Sequence, residues 1–110
     1  MRGEGMIDVY ESAVDAAGRY AAAFERDDET AYFYLLDLAR DEGSQIVEAF
    51  SAHTVTTMPA DAPVFVQWNS GGEAVGLFIA GDLIAVFELR SHGKKGRWAT
   101  DDDKSLFVRH

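Results

Sequence analysis

Hydrophobic and polar positions alternate along most of the chain with a period of two, which is the pattern of β-strands rather than helices. Two stretches, residues 30–38 and 74–80, carry apolar side chains on both of their alternating faces. A strand of that kind is covered by other parts of the protein on both sides. We therefore expect both stretches to be interior strands of a sheet.

Short polar or glycine-containing segments separate the alternating stretches, at residues 26–29, 70–73, 81–82 and 92–96. Strands joined by connections this short run antiparallel, because parallel neighbours need a long crossover. The first connection, Arg26-Asp27-Asp28-Glu29, consists entirely of charged residues and suits an exposed hairpin tip.

Residues 80–83 give the sharpest prediction of local structure. Glycine adopts a positive φ without steric cost, so Gly81 and Asp82 are expected to form a two-residue hairpin loop. Counting outward from that loop places Gly76 opposite Phe87. The Phe87 ring would then cover the bare backbone of the strand glycine.

Two segments, 7–17 and 44–50, fit either a helix or a strand. In the first, Ile7, Tyr10 and Val14 have helical spacing, while Gly18 favours a short strand and a loop. In the second, Ser44 is a suitable helix cap, and residues 53–57 that follow are rich in β-forming side chains. The interpretation that we adopt for residues 44–57 is one helical turn leading into a strand.

These elements predict a mainly β fold, or a β-rich α+β fold, with at most one or two short helical segments. The expected architecture is an antiparallel meander of about six or seven strands, forming a curled sheet or a small open barrel. With 110 residues the chain has the length of one domain, and we expect residues 1–110 to form a single domain.

Charge is the strongest signal in the composition, with 19 acidic and 10 basic residues and a net charge of −9. Residues 1–42 alone hold 11 acidic and 4 basic side chains, a net of −7. Such a charge opposes nucleic-acid binding. It is typical of the surface of a soluble domain, and the alternative interpretation is an acidic face that attracts a cationic partner. The sequence shows no signal peptide and no apolar run long enough for a membrane helix, so we expect a cytoplasmic protein without membrane association.

Residues able to support catalysis or bind a metal are scarce. The chain has no cysteine and three histidines, His53, His92 and His110, which do not have zinc-ligand spacing. The acidic runs at 27–29 and 101–103 do not match a calcium-binding loop, and we expect them to be solvated. We therefore expect a non-enzymatic protein without catalytic residues, metal site or cofactor.

Two further features support alternatives. Lys94, Lys95 and Arg97 lie beside Trp98 and could grip single-stranded nucleic acid, although an exposed hairpin tip with Trp98 in the core is the simpler interpretation. A buried Asp37 beside Tyr32 or Tyr34 would be the starting point for an enzyme, because an apolar setting raises the pKa of a carboxyl group.

Residues 24–37 resemble the signature stretch of a family of small uncharacterised bacterial proteins, classed as a domain of unknown function. A second similar block runs from Trp68 through Gly72 to residues 85–88, so the resemblance covers roughly residues 20–90. Asp28 and Ala31 stand where that family usually has glycine. The resemblance implies a bacterial origin and a compact fold, and it implies no activity.

These observations favour a non-catalytic protein-binding or regulatory domain, of which an immunity-type inhibitor of a cationic partner is one concrete form. The contact residues would be Glu25, Asp27, Asp28 and Glu29. The alternative is a small-molecule-binding β domain, with aromatic side chains lining the concave side of the sheet. These are Tyr10, Tyr20, Tyr32, Tyr34, Trp68 and Trp98. The sequence leaves the oligomeric state open.

Overall fold

The structure, a computed structural model, describes residues 9–27, 29–59, 61–90 and 94–107. Within these ranges eight strands form two four-stranded antiparallel sheets, each with its strands in chain order. The first sheet contains β1 (Val9–Val14), β2 (Tyr20–Arg26), β3 (Ala31–Asp37) and β4 (Ile46–Ser51). The second contains β5 (Val64–Trp68), β6 (Ala74–Ile79), β7 (Asp82–Glu88) and β8 (Gly96–Trp98).

Two 3₁₀ helices complete the described part of the chain, η1 (His53–Thr57) after the first sheet and η2 (Asp101–Phe107) after the second. None of the helices in the described ranges has the length and apolar character needed to span a lipid bilayer. The predicted mainly β, antiparallel meander is confirmed. The described strands number eight rather than six or seven, because both ambiguous segments, 7–17 and 44–50, contain a strand.

The core lies between the two sheets and is built from the inward faces of both. The rings of Phe33 in β3 and Phe87 in β7 approach to 4.8 Å between centroids. Both side chains are fully buried, as are Phe24, Leu35, Val75 and Leu77. The strands predicted to be interior, β3 and β6, each have a paired neighbour on both sides.

The two sheets also meet along their edges. At one edge, the indole Nε1 of Trp68 in β5 donates a hydrogen bond of 3.0 Å to the carbonyl oxygen of Ala13 in β1. At the other edge, a Cβ added to Gly96 in β8 would lie 2.7 Å from the Cβ of Phe50 in β4. Only glycine allows this close approach. Each sheet is left with one face on the shared core and one face turned outward.

Residues 44–57 correct our interpretation, since the strand comes first and the helical turn second. β4 contains a bulge where the pairing passes from Glu48 to Ile46 and leaves Val47 as an extra residue. This bulge breaks the period of two and gives the segment its helix-like spacing. In η1 the hydroxyls of Thr56 and Thr57 donate to backbone carbonyls three residues earlier, which stabilises the turn despite the β preference of threonine.

The turn between β6 and β7 differs from the prediction by one residue. Its loop residues are Ala80 and Gly81, and both have the positive φ that a type I′ turn requires, 53° and 86°. The positive φ predicted for Gly81 is confirmed, but the predicted register is wrong, because Gly76 pairs with Val86. The observed register buries Phe87 completely in the core, whereas the predicted register would have placed it on the outward face.

Candidate functional site

The outward face of the first sheet is the strongest candidate for a functional surface. Side chains that lie opposite each other on neighbouring strands point to the same face of a sheet. The register of β1 to β4 places twelve residues on the face turned away from the core. We call these residues the open face: Tyr10, Ser12, Val14, Ala21, Ala23, Glu25, Tyr32, Tyr34, Leu36, Ile46, Ala49 and Ser51.

Several large apolar side chains of the open face are exposed to solvent. Tyr10 is 57% exposed, Val14 56% and Ile46 54%, and Tyr32 is exposed to a smaller extent. Single apolar side chains on a surface are common, but a contiguous set on one sheet face is a feature of interaction sites. The expectation that both sides of β3 are covered is therefore fulfilled only on its core side.

The register implies a shallow groove along β2 in the middle of the open face, because small residues there lie between larger ones on the neighbouring strands. Its floor consists of Ala21 and Ala23, which are almost fully buried although they point away from the core. Their burial comes from taller side chains on the two neighbouring strands, namely Val14 on β1 with Tyr34 and Leu36 on β3. The groove is bordered by apolar side chains except at Ser12, which lies opposite Ala23 on β1.

The groove ends at Glu25, whose carboxylate is held by a tyrosine. The Tyr34 hydroxyl donates to Oε1 of Glu25 at 2.9 Å. Burial together with this hydrogen bond raises the pKa of Tyr34 to about 12, so the phenol stays protonated at neutral pH. Tyr10 and Tyr32 lie directly opposite Glu25 on the two neighbouring strands, and the Tyr32 ring stacks on that of Tyr34 at 5.9 Å.

The β2–β3 connection lies next to this tyrosine cluster. It is the hairpin connection that its charged sequence predicted, except that Arg26 belongs to β2 and is buried. Oδ1 of Asp27 accepts hydrogen bonds from the backbone amides of Glu29 and Thr30 at 2.8 and 2.7 Å, so this carboxylate shapes the turn. Glu29 is exposed, and Asp28 lies outside the described residues. Of the four predicted contact residues, the structure thus brings Glu25, Asp27 and Glu29 to one end of the open face.

The basic residues of the first sheet lie away from the open face. Arg26 points to the core side and donates to the carbonyl oxygens of Thr56 at 3.1 Å and Met58 at 2.9 Å, which ties β2 to η1. Arg19 and Arg40 lie at the opposite end of β3 from the tip. Glu25 is the one charged residue of the open face, so the field over its tyrosine end is negative.

Asp37 is buried, as the enzyme alternative required, but it lies on the core side of β3, opposite to the face that carries Tyr32 and Tyr34. Its neighbours also lower its pKa instead of raising it. Arg19 binds both carboxylate oxygens, at 2.8 and 3.1 Å, and the Ala39 amide donates a further bond at 3.0 Å. These hydrogen bonds, led by that from Arg19, lower the pKa of Asp37 to about 2. A carboxylate held ionised in this way stabilises the β3 end and is a poor proton carrier at neutral pH.

The second sheet differs because η2 packs across its outward face. The Phe107 ring meets that of Phe78 edge-on at 5.3 Å, and a Cβ added to Gly76 would lie 2.9 Å from the Phe107 ring. Val86, which points outward from β7, is consequently fully buried. The covering side chains of Gly76 are therefore Phe107 and Leu83, rather than the predicted Phe87.

An ion pair fixes η2 to β8 and corrects two expectations. Arg97 donates to both carboxylate oxygens of Asp103, at 2.6 and 2.8 Å, and also binds Glu88. Asp103 is buried rather than solvated, and the hydrogen bond from Arg97 is the main reason that its pKa falls to about 2. Arg97 is thereby neutralised, which weakens the predicted basic patch.

The remaining predicted residues do not form a second site. Trp98 is 44% exposed and its ring packs edge-on against Phe50 at 5.0 Å, at the junction of the two sheets. His53 is exposed at the start of η1, while His92 and His110 lie outside the described residues. In the described ranges, the histidines and carboxylates form no group of three or more that could hold a metal ion.

The six aromatic residues proposed to line a ligand pocket separate into different regions. Tyr10, Tyr32 and Tyr34 lie on the open face, whereas Tyr20 and Trp68 pack against the core. Sequence reasoning identified Glu25 and the tip but missed the apolar part of the open face. The signal was available, because alternate positions of β1, β2 and β3 are apolar on the side that faces away from the core.

The fold and the open face together define a small all-β domain with an exposed aromatic surface. The family model of an uncharacterised protein conserved in bacteria, DUF2251, matches residues 4–104. The chain belongs to this family, which agrees with the resemblance to an uncharacterised bacterial family that the sequence predicted. No curated protein and no solved structure matches the chain.

Proposed function

We propose that this protein is a non-catalytic binding domain whose open face docks onto a cationic protein partner. The observation that carries the proposal is a twelve-residue sheet face that is largely apolar, rich in tyrosine and free of lysine and arginine. Tyrosine and other large side chains supply most of the binding energy at protein interfaces. A regulatory domain of the immunity-inhibitor type would use such a face to cover a basic site on its target.

Charge complementarity supports a basic partner rather than a second copy of this chain. The chain carries a net charge of −9, and Glu25, Asp27 and Glu29 lie at one end of the open face. Two copies meeting through this face would bring like charges together, which opposes association. A cationic surface would be attracted from a distance and would pair with the carboxylates on contact.

The small-molecule alternative has less support from the geometry. The space between the sheets is filled by fully buried side chains, among them Phe24, Phe33 and Phe87. A surface cleft of about 550 Å³ lies between the β1–β2 and β5–β6 turns. Three of the polar side chains that line it bond within the fold, since Asp15 and Asn69 accept from backbone amides and Trp68 donates to Ala13.

Affinity capture from bacterial cells of the source species tests the proposal when matched variants are compared. The test variant carries Val14→Ser and Ile46→Ser on the open face, and the control carries Phe65→Ser on the second sheet, where Phe65 is 59% exposed. We expect one basic protein to be captured by the wild type and the control and to be lost with the test variant. Capture that is the same with all three proteins would contradict the proposal.

A further inference from the structure

The tyrosine end of the open face has the composition of a receptor for one positively charged side chain. We propose that the partner inserts an arginine there, with its guanidinium bound by Glu25 and stacked on tyrosine. This inference rests on the proposed function and identifies the anchor residue of the partner. The receptor consists of Glu25, Tyr10, Tyr32 and Tyr34.

The register places the carboxylate in the middle of the aromatic cluster. Glu25 lies directly between Tyr10 and Tyr32, and opposite residues in antiparallel strands have Cβ atoms about 4.5–5.5 Å apart. The Tyr34 hydroxyl holds Oε1 at 2.9 Å and so restricts the rotation of the carboxylate before any partner binds. A restrained acceptor loses less conformational entropy on binding.

A small concavity lies beside the carboxylate. It measures about 40 Å³ and is lined by Glu25, Arg26, Asp27, Thr30 and Tyr32. The Arg26 guanidinium itself is turned to the core side, where it donates to the carbonyl oxygens of Thr56 and Met58. One water molecule takes up about 30 Å³ in the liquid, so the concavity receives only one edge of a guanidinium and the rest of the group lies on the surface. Ala23 and Ala21 follow Glu25 on the same face of β2, and the space over these small residues can accept the methylene stem of a long basic side chain.

The chemistry of the site favours arginine over lysine. A guanidinium is planar, stacks on aromatic rings and is less strongly hydrated than an ammonium group. Tyr32 and Tyr34 present stacked rings inclined by 20°, and the attraction of a cation to a tyrosine face adds to its ion pair with Glu25. A metal ion would need several converging oxygen ligands, whereas the aromatic members of this cluster provide mainly ring surface.

The test is an NMR titration of the intact protein with the tripeptide N-acetyl-Ala-Arg-Ala-amide. The citrulline tripeptide is the neutral control of the same shape, and the lysine tripeptide tests the choice of cation. We expect shift changes concentrated at Tyr10, Glu25 and Tyr32, with affinity about tenfold lower for citrulline, as the loss of one charged hydrogen bond predicts. Equal binding of arginine and citrulline, tighter binding of lysine, or changes located elsewhere would overturn the inference.

Variants make the test specific to the receptor. Glu25→Gln keeps an acceptor for the Tyr34 hydroxyl but removes the charge, and it should reduce arginine affinity about tenfold. Glu29→Gln, a nearby exposed carboxylate, is the matched control and should leave the affinity within about twofold because it lies outside the concavity. Tyr32→Leu should also weaken binding while keeping an apolar side chain. Unchanged affinity in Glu25→Gln would refute the assignment.

The two proposals fail in different ways. If the tripeptide titration shows no arginine binding, the inferred anchor is wrong, while partner capture through Val14 and Ile46 can still occur. Capture that does not depend on Val14 and Ile46 would remove the docking role of the open face, whatever the tripeptides show.

Discussion

The outward faces of the two sheets have similar sequence patterns but differ in how much of their surface is exposed to solvent. β3 and β6 both carry apolar side chains at every alternation, and both are interior strands. On the second sheet η2 packs over β6 and β7, where Val86 is 0% and Ala74 1% exposed, while Phe65 on the edge strand β5 remains 59% exposed. On the first sheet Tyr10, Val14 and Ile46 remain more than half exposed. The alternation thus shows that a face is suited to being covered, but it does not show what covers it.

The side chains of the two faces agree with this difference. Where η2 covers the second sheet, the contact consists of the apolar side chains of Phe78, Val86 and Phe107 together with the ion pair of Arg97 and Asp103. The open face uses Tyr10, Tyr32 and Tyr34, whose hydroxyls remain compatible with water when no partner is bound. A face of this kind is suited to both a free and a bound state.

Removing the Phe107 ring of η2, which packs on the second sheet, should have the largest effect on stability. Phe107→Ala should lower the free energy of unfolding by about 2–3 kcal/mol, somewhat less than for a fully buried phenylalanine, because Phe107 is partly exposed. Tyr10→Ala on the open face should cost about 0.5 kcal/mol or less. Urea denaturation of both variants provides the comparison. Similar losses would show that the two faces do not differ in the way described.

Acidification should weaken the attachment of η2. The pKa of Asp103 in the folded protein is about 2, against an ordinary value of 3.8, so its ionised form stabilises the fold. That contribution is complete above about pH 5 and is lost as the pH falls toward 2. Asp103→Asn should therefore be less stable than the wild type by about 1–2 kcal/mol at pH 7, since solvent screens the half-exposed Arg97.

The same variant should show a smaller loss of stability between pH 5 and pH 2 than the wild type. Asp37, whose pKa is also lowered to about 2 by Arg19, acts in the same direction and is present in both proteins. Thermal unfolding across this pH range measures the difference. Parallel pH profiles for the wild type and Asp103→Asn would show that this ion pair does not hold η2.

The smallest effect on stability is expected on the open face. The double variant Val14→Ser and Ile46→Ser should change the free energy of unfolding by about 0.5 kcal/mol or less per site, because both side chains are more than half exposed. Partner binding should nevertheless be lost. Denaturation measures the stability and the capture experiment measures partner binding. A large loss of stability would show that the two side chains support the fold rather than an interface.

The sequence predicted the strands and most turns because these depend on local alternation and on glycine. It failed where a distant contact decided the outcome. The register of β6 and β7 follows from burial of Phe87 against Phe33, which lies on the other sheet. The burial of Asp103 depends on Arg97, and the bulge at Val47 disguised a strand as a helix. At the candidate site, the charged tip was evident from composition, whereas the open face required the register of all four strands.

Site-specific photo-crosslinking in cells tests the central claim most directly. A photoreactive phenylalanine analogue would replace Tyr10 on the open face or Phe65 on the second sheet, two aromatic positions with 57% and 59% exposure. We predict an adduct with one basic protein from position 10, abolished by Glu25→Lys, and no such adduct from position 65. Equal adducts from both positions, or a position 10 adduct that persists with Glu25→Lys, would contradict the assignment of the open face as a binding surface for a cationic partner.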